Sequence, residues 1–172
     1  LINRFIVICF DNLQKIKPHY NILIHEHVKT YVQNKKFIGI KYINLRKQIT
    51  DNKLKKKAKN LKKEVLICLG SGDIRNQGIK ITKYMLKKGF FVTLIRGNYN
   101  VSLDSYRHKN LIIKRNIKNI QDYFKKFNFV ITNGGTTLFE NLHYRNQVYV
   151  LPQTKHEYVL GNFFQKNNQI LG

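Results

Sequence analysis

The sequence predicts an α/β protein: a doubly wound parallel sheet with flanking helices over residues 64–172, preceded over residues 1–50 by the C-terminal part of another α/β lobe. Three observations predict it. Short, wholly apolar runs recur along the chain, as strands buried on both faces require. Amphipathic helical stretches alternate with them in the second half. Several of the runs stop at glycine-marked turns, and ligands of parallel sheets bind at the carboxyl ends of strands, where such turns lie.

Residues 4–10 form an apolar run ended by Asp11-Asn12, and residues 21–25 a second short strand. Residues 37–43 are a third candidate, interrupted by Gly39. Residues 51–63 separate the two lobes. The lysine-dense part, 53–63, reads as a solvated helix or linker, with a phosphate-binding tract as the sharper alternative. A buried strand over 65–69 then meets Gly70-Ser71-Gly72-Asp73. A helix over 78–88 places Ile79, Ile81, Tyr84, Met85 and Leu86 mostly on one face and ends at Gly89 as a C-cap. Strands follow over 90–95, which turns at Arg96-Gly97-Asn98, and over 111–113. Residues 117–127 are amphipathic, and 129–132 form a strand running into Asn133-Gly134-Gly135-Thr136-Thr137, which opens a helix. A strand over 148–151 is closed by Pro152, and a last helix covers 158–167.

The composition narrows the function. The chain has 172 residues, 42% hydrophobic and 12% aromatic, enough apolar material for a sizeable core and against wholesale disorder. Lys+Arg total 32 against Asp+Glu 9, a net charge of +23, which by itself suggests a nucleic-acid or anionic-surface binder. The lysines are scattered, no nucleic-acid motif is present, and Ala58 is the sole alanine. That profile fits an A+T-rich coding sequence, so the charge is read as background and nucleic acid is not the expected partner. Cys9 and Cys68 sit inside apolar runs and read as buried strand thiols, with a reducing cytoplasm as the default compartment. No Cys/His spacing resembles a zinc site, no metal or cofactor is implied, and no apolar stretch is long enough to span a membrane; peripheral contact with an anionic surface stays open. The chain opens on Leu1 rather than Met, enters a strand almost at once and stops where a helix is ending, so it is expected to be part of a longer polypeptide.

Three clusters carry candidate chemistry. In residues 132–140, two glycines and two hydroxyls lead from a strand into a helix. Glycines let backbone approach an anion, and the helix start supplies amide donors and positive dipole. Glu140, one turn on, can accept from a ribose hydroxyl pair; the alternative is a capping box with Thr136 or Thr137 as N-cap. Gly70-Ser71-Gly72-Asp73 is a second glycine turn, without the marks of a P-loop or a full dinucleotide fingerprint. Pro152-Gln153-Thr154-Lys155-His156-Glu157 sets an amide, a hydroxyl, an imidazole and a carboxylate after a third strand; His156 is a candidate general acid/base or a sugar-hydroxyl contact. His25 and His27 flank Glu26 in what reads as an exposed loop, and His19, His108 and His143 have no recognisable companions.

Taken in order, these motifs resemble the nucleotide-sugar-binding C-terminal domain of GT-B enzymes. The segments Phe10-Asp11-Asn12-Leu13, Tyr20-Asn21-Ile22-Leu23-Ile24, Ile38-Gly39-Ile40-Lys41-Tyr42-Ile43-Asn44-Leu45-Arg46 and Leu69-Gly70-Ser71-Gly72-Asp73 are similar in order to one subgroup. It holds the UDP-sugar hydrolase of pseudaminic-acid synthesis and the spore-coat polysaccharide proteins. The resemblance implies a GT-B-like, Rossmann-like fold, a UDP-sugar substrate and no cofactor. It implies that Gly134, Gly135, Thr136 and Thr137 hold the diphosphate and Glu140 the ribose. Gly70, Ser71 and Gly72 would line the cleft, and Arg96-Gly97 would lie near the base. Gln153, His156 and Glu157 would face the sugar and phosphates, although the hydrolase carries Asn-Gln where this chain has His156-Glu157. The family's catalytic histidine lies in a glycine-rich loop upstream of the segment resembled here, so no catalytic residue is assigned. A water-attacked hydrolase and a glycosyltransferase both fit.

Overall fold

The computed structural model describes residues 6, 8–10, 19–23, 36–51, 63–70, 73, 75–97 and 106–172. The chain divides into two units, Leu1–Asn44 and Leu45–Gly172. This division falls earlier than the lobe read over 1–50, because Leu45 and the fully buried Ile49 pack in the core of the second unit. Most of the 51–63 lysine stretch, the His25/His27 pair, Ser71 and Gly72 lie outside the described residues.

In the first unit, β1 (Ile8–Phe10), β2 (Tyr20–Leu23) and β3 (Lys36–Ile38) form a parallel sheet in that order, with Cys9 opposite Asn21 and Ile22 opposite Phe37. The strand expected over 37–43 stops at Ile38. Gly39 adopts φ 129°, which takes the backbone out of the strand, and Ile40–Tyr42 wind into a 3-10 turn. Cys9 is half-buried rather than buried.

The second unit begins with a short helix, α1 (Lys47–Thr50), that the sequence reading did not mark. Strands and helices then alternate: β4 (Glu64–Cys68), α2 (Gln77–Lys87), β5 (Phe91–Arg96), β6 (Leu111–Arg115), α3 (Ile120–Lys126), β7 (Phe129–Thr132), α4 (Thr136–His143), β8 (Gln147–Val150) and α5 (Lys155–Lys166). All five strands are parallel, in the order β6-β5-β4-β7-β8. This is the Rossmann-like α/β arrangement with flanking helices expected from the alternation. The order reverses between β4 and β7, the kind of switch point at whose carboxyl ends ligands of such sheets bind.

Burial explains the sequence pattern. The central strands β4, β5 and β7 are buried on both faces and therefore read as continuous apolar runs. Along β4, Val65 and Ile67 face Met85 and Leu86 of α2, while Leu66 and Cys68 face Ile49 and Phe124 from α1 and α3. The outer strand β8 alternates, with Val148 and Val150 buried and Gln147 and Tyr149 exposed. Beyond α5 the chain returns to the outer side of β8: the Leu171 amide donates to the Val148 carbonyl, and the Val150 amide donates to the Gly172 carbonyl. Among the described residues, no helix is long and apolar enough to cross a membrane.

Three helices end in the same way. After α2, the Phe90 amide donates to Met85 and the Gly89 amide to Leu86, the paired bonds of a Schellman cap around Gly89 at φ 80°. The same pairs close α4 around Arg145 at φ 55° and α5 around Asn168 at φ 55°. A side chain in this region costs roughly 1–2 kcal/mol and glycine's unfolded-state freedom offsets about 0.4–1 of it, so Arg145→Gly should raise stability by a net of about 0.5 kcal/mol in urea unfolding.

Burial also fixes the chemistry of Cys68. Desolvation pushes its thiol from an ordinary value of 9.0 up to about 11, against an opposing bond from the Gly70 amide. Below pH 9 the thiol is neutral in both states; between 9 and 11 only the unfolded chain ionises, so stability falls as pH rises through that window. Cys68→Ala should remove a component of that fall on the order of 2 kcal/mol, measured as the difference in urea-unfolding free energy between pH 8.5 and 10.5. The wild-type thiol should resist alkylation at neutral pH until the chain is unfolded.

Candidate functional site

Four of the five turns at the carboxyl edge of the second sheet lie side by side: Gly97 after β5, Gly70 after β4, Asn133-Gly134-Gly135 after β7, and Pro152-Gln153 after β8. Asn133 sits where two of them meet. A β-carbon at position 70 would lie 3.5 Å from Asn133 Nδ2, and one at position 135 would lie 3.4 Å from the same atom. Gly70 also needs glycine for its backbone, at φ 76°.

Helix starts matter at such an edge, because their first amides have no partner within the helix. At α2, the Asp73 carboxylate accepts from the Gln77 amide (2.8 Å) and the Gly78 amide (2.7 Å), so the chain's own anion fills that start. At α5, Thr154 and Glu157 form a capping box: Thr154 Oγ1 accepts from the Glu157 amide, and Glu157 Oε2 accepts from the Thr154 amide (3.1 Å). At α4 the N-cap is Gly135, and no side chain caps it. The capping box weighed for Thr136 or Thr137 with Glu140 is therefore not formed; the box stands one helix later. The open start is flanked by the exposed Thr136 and the half-buried Thr137.

Glu157 does more than cap. Its Oε1 accepts from Asn133 Nδ2 at 2.6 Å, and its Oε2 also accepts from the Gln153 amide at 2.6 Å. Gln153 is buried; its Nε2 donates to Gln77 Oε1 at 3.1 Å, while its Oε1 is buried without a partner. The turns after β4, β7 and β8 are thus joined through Asp73, Gln77, Gln153, Glu157 and Asn133. The first turn of α5 rests directly on Gly134: a β-carbon there would lie 2.6 Å from the Glu157 carbonyl oxygen and 2.8 Å from its Cα.

Glu140 takes a place the sequence reading did not foresee. It is 1% exposed, and both carboxylate oxygens accept from Arg46, Oε1 from Nε and Oε2 from Nη2, each at 2.6 Å. The hydrogen bonds to Glu140 raise the pKa of the Arg46 guanidinium, against opposing desolvation. The structure thus brings Gly70, Gly134, Gly135, Thr136, Thr137, Gln153 and Glu157 to one edge. Arg96 is buried at the end of β5, one strand along from Gly70, with Gly97 half-buried beside it. His156 is half-buried in the first turn of α5. Among the described residues no group of three His, Cys, Asp or Glu side chains is placed to hold a metal ion. Asn133, Asp73, Gln77 and Arg46 were quoted in the sequence without a role or passed over. A sequence signal existed for the cap, since Thr154-Lys155-His156-Glu157 has the T-x-x-E spacing.

No family model matches the chain, and no curated protein matches it. A solved structure does: the glycotransferase of kitacinnamycin, with a TM-score of 0.59 and 14% sequence identity, covering 89% of this chain. The chain spans 41% of that protein's length. The likeness shows an α/β fold of Rossmann-like type shared with a glycosyltransferase.

The packing of Gly134 has a direct consequence. Gly134→Ala should cost about 1–3 kcal/mol in chemical unfolding, because the Glu157 backbone cannot move away without opening its cap. Gly135→Ala, whose β-carbon meets only the Asn133 side chain, should cost less than half as much in the same experiment.

Proposed function

We propose that the second unit binds a nucleotide sugar, with the diphosphate on residues 134–137, as part of an enzyme that moves the sugar to an acceptor hydroxyl or to water. One observation carries the reading. Of the four helix starts described at the carboxyl edge of the second sheet, those of α2 and α5 are filled by the chain's own carboxylates; α3 and α4 have no side-chain cap, but α3 carries Asp122 in its first turn, whereas α4 has glycine, two hydroxyls and no acid there. An anion at α4 finds amide donors and the positive end of the helix dipole.

In this reading the bond from the anomeric carbon to the diphosphate oxygen breaks, and its electron pair leaves with UDP. The α4 start stabilises the charge that develops there. The attacking oxygen forms the new bond and gives up its proton to a base outside the assigned residues. In the same reading Arg96 and Gly97, at the end of β5, would lie on the side of the base, and Gln153 and His156, at the start of α5, on the side of the sugar. Glu140 and Glu157 hold the frame through Arg46 and Asn133 rather than reaching for the ligand. The fold neighbour supports an acceptor hydroxyl as attacker; the sequence resemblance supports water, a UDP-sugar hydrolase of surface-polysaccharide or nonulosonic-acid synthesis.

UDP at about a hundred times its Kd should stabilise the chain by about 3 kcal/mol, seen as a rise of several degrees in Tm. Replacing both hydroxyls, in Thr136→Val with Thr137→Val, should weaken UDP about tenfold in calorimetry. No protection by UDP or UDP-sugars, or unchanged affinity in the double variant, would count against the site. UDP release from UDP-sugars with and without an added acceptor separates the two attackers.

A further inference from the structure

The Arg46–Glu140 pair is not used by the nucleotide reading, yet it sits behind the helix that reading depends on. Glu140 lies one turn into α4, almost wholly buried, and both its oxygens are taken side-on by one guanidinium whose side chain is half exposed. A fork of this kind fixes direction as well as distance, which a single ammonium contact does not.

The other end of the fork is equally constrained. The Arg46 carbonyl accepts from the Ile49 and Thr50 amides and so starts α1. Ile49 is fully buried against Leu66, Cys68 and Phe124, and Leu45 packs on the same cluster. Arg46 is therefore held between two apolar anchors, directly after the boundary between the units at Asn44 and Leu45. The next residue of α4 is anchored independently: Asn146 Nδ2 donates to Asn141 Oδ1 (2.7 Å) and to the Phe124 carbonyl (3.0 Å). Two consecutive residues thus tie α4 to two different segments, α3 through Asn141 and residues 45–50 through Glu140.

We propose that Arg46 is a positioning residue for the anion site at 134–137: it sets the first turn of α4 through Glu140, and so couples the segment that leaves the first unit to nucleotide affinity. The inference rests on the nucleotide-sugar reading above for its ligand, and on the Arg46–Glu140 geometry alone for its mechanics.

The test compares the full chain with Arg46→Lys, Arg46→Met and the pair Arg46→Met with Glu140→Gln. UDP binding is measured by calorimetry, and amide exchange across α4 by mass spectrometry. Arg46→Lys, which keeps the charge but loses the fork, should weaken UDP about tenfold and speed exchange of the helix-bonded amides 139–143 about tenfold, with β4 and β5 unchanged. The neutral pair should recover the thermal stability lost in Arg46→Met and still bind UDP weakly, because no fork sets the helix. Wild-type affinity in folded Arg46→Lys overturns the inference, and so does a neutral pair that regains affinity together with stability, since the two charges would then only balance each other. If the wild type does not bind UDP, the nucleotide reading fails on its own; unchanged exchange at 139–143 in Arg46→Lys then still overturns the positioning role of Arg46, and faster exchange still supports it.

Discussion

Both oxygens of Glu157 accept hydrogen bonds from the chain itself, and the arrangement of the sheet's carboxyl edge follows from that. One side chain satisfies the start of its own helix, fixes Asn133 between two glycine turns and receives the Gln153 amide. The constraint behind it is general. A parallel sheet collects several helix starts at one edge, and each brings amides that must find an acceptor. Closing some with protein carboxylates leaves the others as the places where a foreign anion is favoured.

This sheds light on the charge. The chain has only 9 acidic residues, and Asp73, Glu140 and Glu157 are all committed to bonds within the second unit. Other acids, Asp51 and Asp122, stand exposed, but they are few beside the lysines. Near the α4 start, Glu140 is neutralised by Arg46, while Glu157 is satisfied by backbone and amide donors and keeps its charge. A strongly positive chain therefore does not need a polyanion to account for it.

The parallel sheet was legible in the residues because strands buried on both faces leave unbroken apolar runs, and Gly89 was legible as a helix end because glycine fits its positive φ. Arg145 occupies the same kind of position without glycine and nothing in its type announces it, whereas Asn168 is of the type that, after glycine, most readily takes a positive φ at a helix end. The α1 turn was missed because a single buried residue, Ile49, makes no periodicity. At the site, the glycines and hydroxyls of 134–137 were readable from local spacing. The partners that arrange them were not: Arg46 meets Glu140 across 94 positions, Gln153 meets Gln77 across 76, and such pairings exist only once the strand order is known. The T-x-x-E spacing by itself does not separate Thr154 and Glu157, which form a capping box, from Thr137 and Glu140, which do not because Arg46 holds the carboxylate.

The two outer strands of the second sheet deal differently with a shared hazard. An open strand edge offers a row of amides and carbonyls to any other strand, and so invites aggregation. Along β8 the residues after α5 fold back and take up part of that row themselves. Along β6 no such cover is described; instead Lys114 and Arg115 stand exposed beside Ile112, and an identical strand brought alongside would set like charges against each other. The lysine-rich composition, which says little about what the protein binds, is on this edge a barrier to what it should not bind: copies of itself.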